Sequence, residues 1–141
     1  MVEFEEGEVF VMEDIKIVNE VTSDQGVFQM RSDGILVFRL NVESKKTTMD
    51  DLSKQVETFT KLQNGKPGPF LMITKEISPL GNDEKRYIKE QLVKMATSFA
   101  MVTNSQITNF MFNLFLYLYK PQVKSKLFKS EEAAIFWLKS L

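Results

Sequence analysis

The 141 residues include no histidine and no cysteine. Without histidine, the chain lacks the commonest general base near neutral pH, and neither a Ser-His-Asp nor a Cys-His arrangement can form. Without cysteine, it can hold no disulfide, no thiolate nucleophile and no zinc site built on sulfur. We therefore expect a protein that is not an enzyme, with no catalytic residues, no metal site and no cofactor.

Glycine is scarce as well, and glycine-rich phosphate loops are missing. The Gly65-Lys66 pair lacks the preceding glycine spacing of a phosphate loop, and it ends a predicted helix instead of opening one. Paired carboxylates do occur, and they could in principle hold a metal or act as acid and base: Asp50-Asp51, Asp83-Glu84 and Glu131-Glu132. Each pair falls in the first turn of a predicted helix, where it offsets the helix dipole, so we interpret all three as structural.

Long apolar runs and basic clusters are also missing. The longest membrane candidate, Phe110 to Tyr119, is interrupted by Asn113 and is far shorter than the roughly 20 residues that span a bilayer. No apolar stretch of signal-peptide type follows the acidic N-terminus, and no basic run carries interleaved aromatic residues. We expect a cytoplasmic protein with no nucleic-acid partner and no stable membrane insertion.

The chain does contain enough apolar material for a packed domain. Its hydrophobic fraction is 43%, with 12 Phe and 8 Met. A chain of this length buries roughly two thirds of its unfolded surface without disulfides or metals. We predict a single domain over residues 1–141, with an acidic and flexible N-terminus over residues 1–8.

The first third of the chain carries strand patterns. Residues 8–21 are strand-like, although their register is ambiguous. Two apolar runs, Val27–Arg31 and Ile35–Leu40, flank Ser32-Asp33-Gly34, which predicts a β-hairpin because Asp-Gly tolerates positive φ. Both faces of the second run are apolar, so we predict a central strand that is covered on both sides.

From about residue 35 onward, predicted strands alternate with predicted helices. The helices are expected to begin near Thr48, Asp83, Gln106 and Ser130. Buried or short strands are expected at Phe70–Thr74, Ser98–Val102 and Lys126–Phe128. This order predicts an α/β fold: a mixed, mostly parallel sheet of about five strands with an N-terminal β-hairpin and four flanking helices.

The third helix, Gln106–Lys120, has two apolar sides. On a helical wheel one broad face holds Ile107, Phe110, Met111, Leu114, Phe115 and Leu118, and the opposite side holds Phe112, Leu116 and Tyr119. We expect the broad face to meet the sheet. The opposite side then needs another cover, which is the last helix, a partner chain or an apolar ligand. We predict that Phe112, Leu116 and Tyr119 form an interface patch.

Four short stretches resemble a known group of proteins: Asp33-Gly34-Ile35, Asn64-Gly65-Lys66-Pro67, Asn113-Leu114-Phe115-Leu116 leading to Lys120-Pro121, and Leu127-Phe128-x-Ser130-x-Glu132-Ala133 with Trp137-Leu138. Over residues 26–141 the chain is similar to uncharacterised bacterial SpoIIAA-like families with a STAS or SEC14-like fold. The resemblance implies a sheet of four to five strands surrounded by helices, a bacterial cytoplasmic setting and frequent self-association as a homodimer.

The resemblance also singles out a regulatory loop. Anti-sigma-factor antagonists carry a phosphorylatable serine in an Asp-Ser-Ser/Thr-Gly motif that opens the second helix. Ser78 lies in the matching stretch, Thr74–Gly81, but the aspartate and the serine-glycine context are missing here. We expect Ser78 to lie in an exposed loop between a central strand and the second helix, because Pro79 and Gly81 prevent regular structure.

Two functions remain open at this point. The first is a non-enzymatic STAS-like interaction and regulatory module that pairs with itself or with a protein partner. The second is a SEC14-like carrier or sensor of an apolar small molecule or lipid, since relatives with that fold bind lipids in an apolar groove that the third helix could line.

Overall fold

The computed structural model of the protein describes residues 15–41 and 46–141. Within these residues, six strands form one sheet whose spatial order follows the chain. The strands are β1 (Ile17–Ser23), β2 (Gly26–Arg31), β3 (Leu36–Leu40), β4 (Gly68–Ile73), β5 (Ala96–Val102) and β6 (Lys124–Phe128). The helices are α1 (Met49–Leu62), α2 (Asn82–Met95), α3 (Gln106–Tyr119) and α4 (Glu131–Lys139).

The sheet is mixed, as predicted. Antiparallel pairing joins β1 to β2 and β2 to β3, whereas β3, β4, β5 and β6 pair in parallel. The predicted α/β class, the N-terminal hairpin and the four helices are confirmed, with six strands in place of about five. The acidic N-terminus and the strand pattern over residues 8–14 lie outside the described residues. Over residues 17–21 the ambiguous register is settled, because β1 forms an exposed edge strand paired with β2.

The predicted hairpin between β2 and β3 is held by Asp33. Its carboxylate accepts from Arg31 Nε at 3.0 Å and Arg31 Nη2 at 2.7 Å, and from the Ile35 N–H at 3.3 Å. Burial alone would raise the pKa of Asp33, but these hydrogen bonds outweigh it, so the pKa is lowered. Gly34 completes the turn with a φ of +87°. A residue with a side chain would be strained in this conformation.

The larger core lies between the sheet and helices α1, α2 and α3. It contains a row of phenylalanine rings in contact with one another. The ring centroids are 4.3 Å apart for Phe28 and Phe38, 4.8 Å for Phe59 and Phe70, 5.3 Å for Phe70 and Phe99, and 5.6 Å for Phe99 and Phe112. Leu36 and Phe38 of β3 belong to this core. The three helices on this face therefore share one continuous apolar packing surface.

The opposite face of the sheet is covered by α4. Ile35 and Val37 pack there with Ala134 and Leu138. Since residues 35–38 are all buried, the prediction that β3 is a central strand covered on both sides is confirmed. Arg39, the next residue, also points to this side and forms a two-pronged ion pair with Glu131 at 2.9 and 3.0 Å.

Candidate functional site

The loop between β4 and α2, residues 74–81, is tied to its surroundings by buried threonines. Thr103 Oγ1 donates to the Lys75 carbonyl at 3.2 Å, and Thr108 Oγ1 accepts from the Ile77 N–H at 3.0 Å. Thr108 is fully buried on α3. A buried hydroxyl must be hydrogen-bonded, so this contact anchors the loop to α3 and restricts how the helix can be rotated.

The structure contradicts the predicted orientation of α3. Phe112 is 6% exposed and meets Phe99 edge to face, so it belongs to the core. Leu116 also packs against the core, and Tyr119 is half-buried with its ring stacked on Phe115. The predicted patch of Phe112, Leu116 and Tyr119 therefore lies on the side that meets the domain. The face expected to meet the sheet is largely exposed instead.

A mostly apolar cavity of about 180 Å³ opens among α1, α2, α3 and the sheet. The apolar part of its buried wall consists of Leu52 of α1, Leu92 of α2, Phe99 and Met101 of β5, and Phe112 of α3. Its outer wall includes the more exposed α3 residues Leu114 and Leu118, which place its mouth at the surface.

The position of the cavity in the sheet is informative. It is lined by Leu40, Met72 and Met101, which lie in the last two residues of the adjacent parallel strands β3, β4 and β5. The loop residues Ser78 and Leu80 line it as well. The cavity therefore lies at the carboxyl ends of three adjacent parallel strands, beside the loop that joins β4 to α2.

Polar side chains are few among the described residues around the cavity. Lys85 of α2 is the only charged residue among the described residues that line it. Gln55, at the start of the cavity on α1, is buried and donates through Nε2 to Gln25 Oε1, and Gln25 in turn donates to Asp51 at 3.0 Å. The cavity is thus a mostly apolar space with one cation, Lys85, contributed by the part of the chain that the structure describes.

The residues of helix α2 that line the cavity indicate which end is the mouth and which is the bottom. Lys85, Ile88 and Leu92 line it at helical spacing. Lys85 and Ile88 are half-buried, whereas Leu92 is 4% exposed. The mouth therefore lies near Lys85 and the bottom near Leu92.

Ser78 lies between β4 and α2, where the sequence placed it, but it is half-buried rather than exposed. It lines the mouth of the cavity, as do its neighbours Pro79 and Leu80. The sequence analysis assigned Ser78 to a regulatory loop and α3 to an apolar groove without linking them. In the structure, Ser78 and α3 line the same cavity. Phosphorylation of Ser78 stays a prediction.

The outer side of α3 is an exposed apolar stripe, which we call the α3 stripe: Ile107, Phe110, Leu114, Tyr117 and Leu118. Phe110 and Tyr117 are 67% and 73% exposed. Leu114 and Leu118 also line the cavity, so the α3 stripe and the cavity form one continuous apolar surface.

The described part of the chain offers neither a metal cluster nor a membrane-spanning helix. In residues 15–41 and 46–141, no three His, Cys, Asp or Glu side chains come together in a way that could hold a metal ion. No helix in the same ranges combines the length and apolarity that a membrane crossing requires.

Comparisons with known proteins agree with the fold. The model of a family described as a domain of unknown function, DUF7793, matches residues 28–141. The chain resembles the crystal structure of an uncharacterised protein of the DUF3478 family with a SpoIIAA-like fold from Shewanella loihica PV-4. The TM-score is 0.53 at 14% identity, and the alignment covers 94% of this chain and 99% of that chain. This likeness shows the fold alone, and it confirms the SpoIIAA-like fold.

A second crystal structure, of a protein with unknown function from Arthrobacter sp. FB24, aligns at 22% identity over 86% of this chain and 98% of that chain. Its TM-score of 0.29 is too low to support an argument. No curated protein matches the sequence.

Proposed function

We propose that this chain, which belongs to the DUF7793 family, binds an apolar small molecule in the cavity beneath α3 and acts as a carrier or sensor of it, without catalysis. The observation that carries this proposal is the apolar cavity at the carboxyl ends of β3, β4 and β5. Protein interiors normally leave few voids larger than a water molecule, so an apolar space of this size needs an explanation.

The size of the cavity supports binding of a small ligand. An apolar cavity of about 150 Å³ in another protein stays dry and binds benzene. The cavity here, at about 180 Å³, is slightly larger and is also open at one end. Filling it would restore dispersion contacts that its wall residues now lack, which favours an apolar occupant over water.

A pair of tryptophan substitutions on α2 tests the proposal. Ile88→Trp fills the cavity from its wall, whereas Val93→Trp enlarges an exposed residue of the same helix that does not line it. Using 1-octanol as the probe, we expect titration calorimetry to show binding to the wild type and to Val93→Trp, but at least tenfold weaker binding to Ile88→Trp. Equal binding to all three proteins, or no binding to the wild type, would contradict the proposal.

The α3 stripe favours a second function, that of an interaction module that forms homodimers or meets a protein partner. Contiguous exposed apolar residues on a surface helix are typical of interaction sites. Phe110→Lys places a charge at the centre of the α3 stripe without touching the cavity wall. If the stripe mediates self-association, light scattering after size exclusion should show a dimer for the wild type and a monomer for Phe110→Lys. Identical monomer masses would count against self-association.

A further inference from the structure

The inference that follows rests on the proposed binding function and names the chemistry of the ligand. We propose that the cavity takes an amphipathic carboxylate with one apolar chain, such as a medium-chain fatty acid. Its chain fills the space toward Phe99 and Leu92, and its carboxylate pairs with the Lys85 ammonium at the mouth.

Lys85 is positioned to recognise an anion because no other group of the described chain uses its charge. No hydrogen bond or ion pair joins its ammonium to another described residue. Helix neighbours three or four residues away are the usual intrahelical partners of a lysine. Here these positions hold Gly81, Asn82, Ile88 and Lys89, and none of them is an acid.

Among residues 15–41 and 46–141, nearby carboxylates do not compete for this site. Asp83 accepts from Arg86 Nη1 at 3.0 Å and is largely exposed. Glu84 folds back along the start of the helix, with Oε1 beside Gly81. Neither acid lines the cavity, so the ammonium of Lys85 is the charge that a bound head group meets among the described residues.

The wall chemistry selects a chain rather than a polar ring system. Below the mouth, Ile88, Met72, Met101 and Phe115 offer apolar surface, and methionine adapts well to flexible partners. The buried Thr108 hydroxyl already accepts a hydrogen bond from Ile77. By comparison with the benzene-sized cavity above, the enclosed volume suits a chain of about eight carbons. A longer chain would emerge over Leu114 and Leu118 of the α3 stripe.

Three ligands of equal chain length distinguish the contribution of the head group to the affinity from that of the apolar chain. Titration calorimetry with octanoate, 1-octanol and octylamine should show octanoate binding the wild type about tenfold more tightly than 1-octanol, because a charge-assisted hydrogen bond at a partly buried site has about that effect. Octylamine should bind less tightly than 1-octanol, because its charge repels the Lys85 ammonium.

Two lysine variants test whether the ammonium of Lys85 is the group that pairs with the ligand carboxylate. Lys85→Met should remove the preference for octanoate while keeping the affinity for 1-octanol. Lys89→Met is the matched control, since Lys89 lies one helical turn away and does not line the cavity. It should bind octanoate like the wild type.

The outcomes distinguish this inference from the function on which it rests. If 1-octanol and octanoate bind the wild type equally, the cavity is an apolar site and the carboxylate assignment is wrong. An equal loss in Lys85→Met and Lys89→Met would show a general surface charge effect and would also refute it. If neither ligand binds, the proposed function itself fails. The wild-type comparison alone decides the matter should Lys85→Met fold poorly.

Discussion

The rotation of α3 leads to a quantitative prediction for two phenylalanines that are two residues apart. Phe112→Ala removes a core ring that contacts Phe99, whereas Phe110→Ala removes a ring that is 67% exposed. Truncation of a buried phenylalanine typically costs about 3–5 kcal/mol. Because Phe112 also lines the cavity, we expect a value near the lower limit, about 3 kcal/mol. Phe110→Ala should change stability by no more than about 0.5 kcal/mol.

Urea unfolding followed by far-UV circular dichroism measures both values. With a typical dependence of about 2 kcal/mol per molar urea, Phe112→Ala should lower the midpoint by about 1.5 M and Phe110→Ala by less than about 0.3 M. The measurements should be repeated at several protein concentrations, since any contribution from self-association through the α3 stripe would make the midpoint depend on concentration.

The comparison can refute the structural reasoning outright. If Phe110→Ala costs as much as Phe112→Ala, or more, the face first expected to meet the sheet does so after all. The cavity wall described above would then be wrong. The same measurement therefore tests which face of α3 meets the sheet and where the cavity lies.

Three other predictions follow from named contacts. Thr108→Val should cost about 1–3 kcal/mol in urea unfolding, because the buried Ile77 N–H loses its acceptor, and an unchanged stability would show that another group replaces it. The hydrogen bond from Arg39 lowers the pKa of Glu131 below its ordinary 4.5, so this pair should stabilise the fold above about pH 4.5 and lose that contribution as pH falls through the lowered value. Because both side chains are about 40% exposed, Glu131→Gln should cost less than about 1 kcal/mol at pH 7 and reduce the acid sensitivity seen in unfolding from pH 7 to pH 3. Ser78→Asp should weaken octanoate binding but not 1-octanol binding in calorimetry, because it adds a like charge at the cavity mouth, and equal octanoate affinity would argue against regulation through this loop.

Much of the architecture could be predicted from the sequence because it depends on neighbouring residues. Thr48 and Asp51 form a reciprocal capping box at 2.9 and 3.1 Å, and Ser130 Oγ accepts from the Ala133 N–H at 3.2 Å. Both helix starts were predicted from residue spacing. The Asp33-Gly34 turn was equally predictable, since the hydrogen bonds of the Asp33 side chain link residues only two positions apart.

Element limits were less predictable where two structures adjoin without a loop. Helix α2 ends at Met95 and β5 begins at the next residue, Ala96, whereas the sequence placed the strand start at Ser98. Similarly, β6 begins at Lys124 rather than Lys126 because Ser98 and Phe99 of β5 extend the pairing. In both cases the strand is lengthened by its partner strand, which the local sequence does not reveal.

The sequence by itself determined that α3 has two apolar sides, but the tertiary structure decided which of them faces the sheet. Hydrophobic periodicity gives the angle between two faces and contains no information about their partners. The choice depends on contacts with distant residues: Phe112 with Phe99, and Thr108 with Ile77, 31 positions away. The cavity, with Lys85 as the only charged residue among its described lining residues, follows from that choice, because it exists only where three helices and the ends of three strands converge.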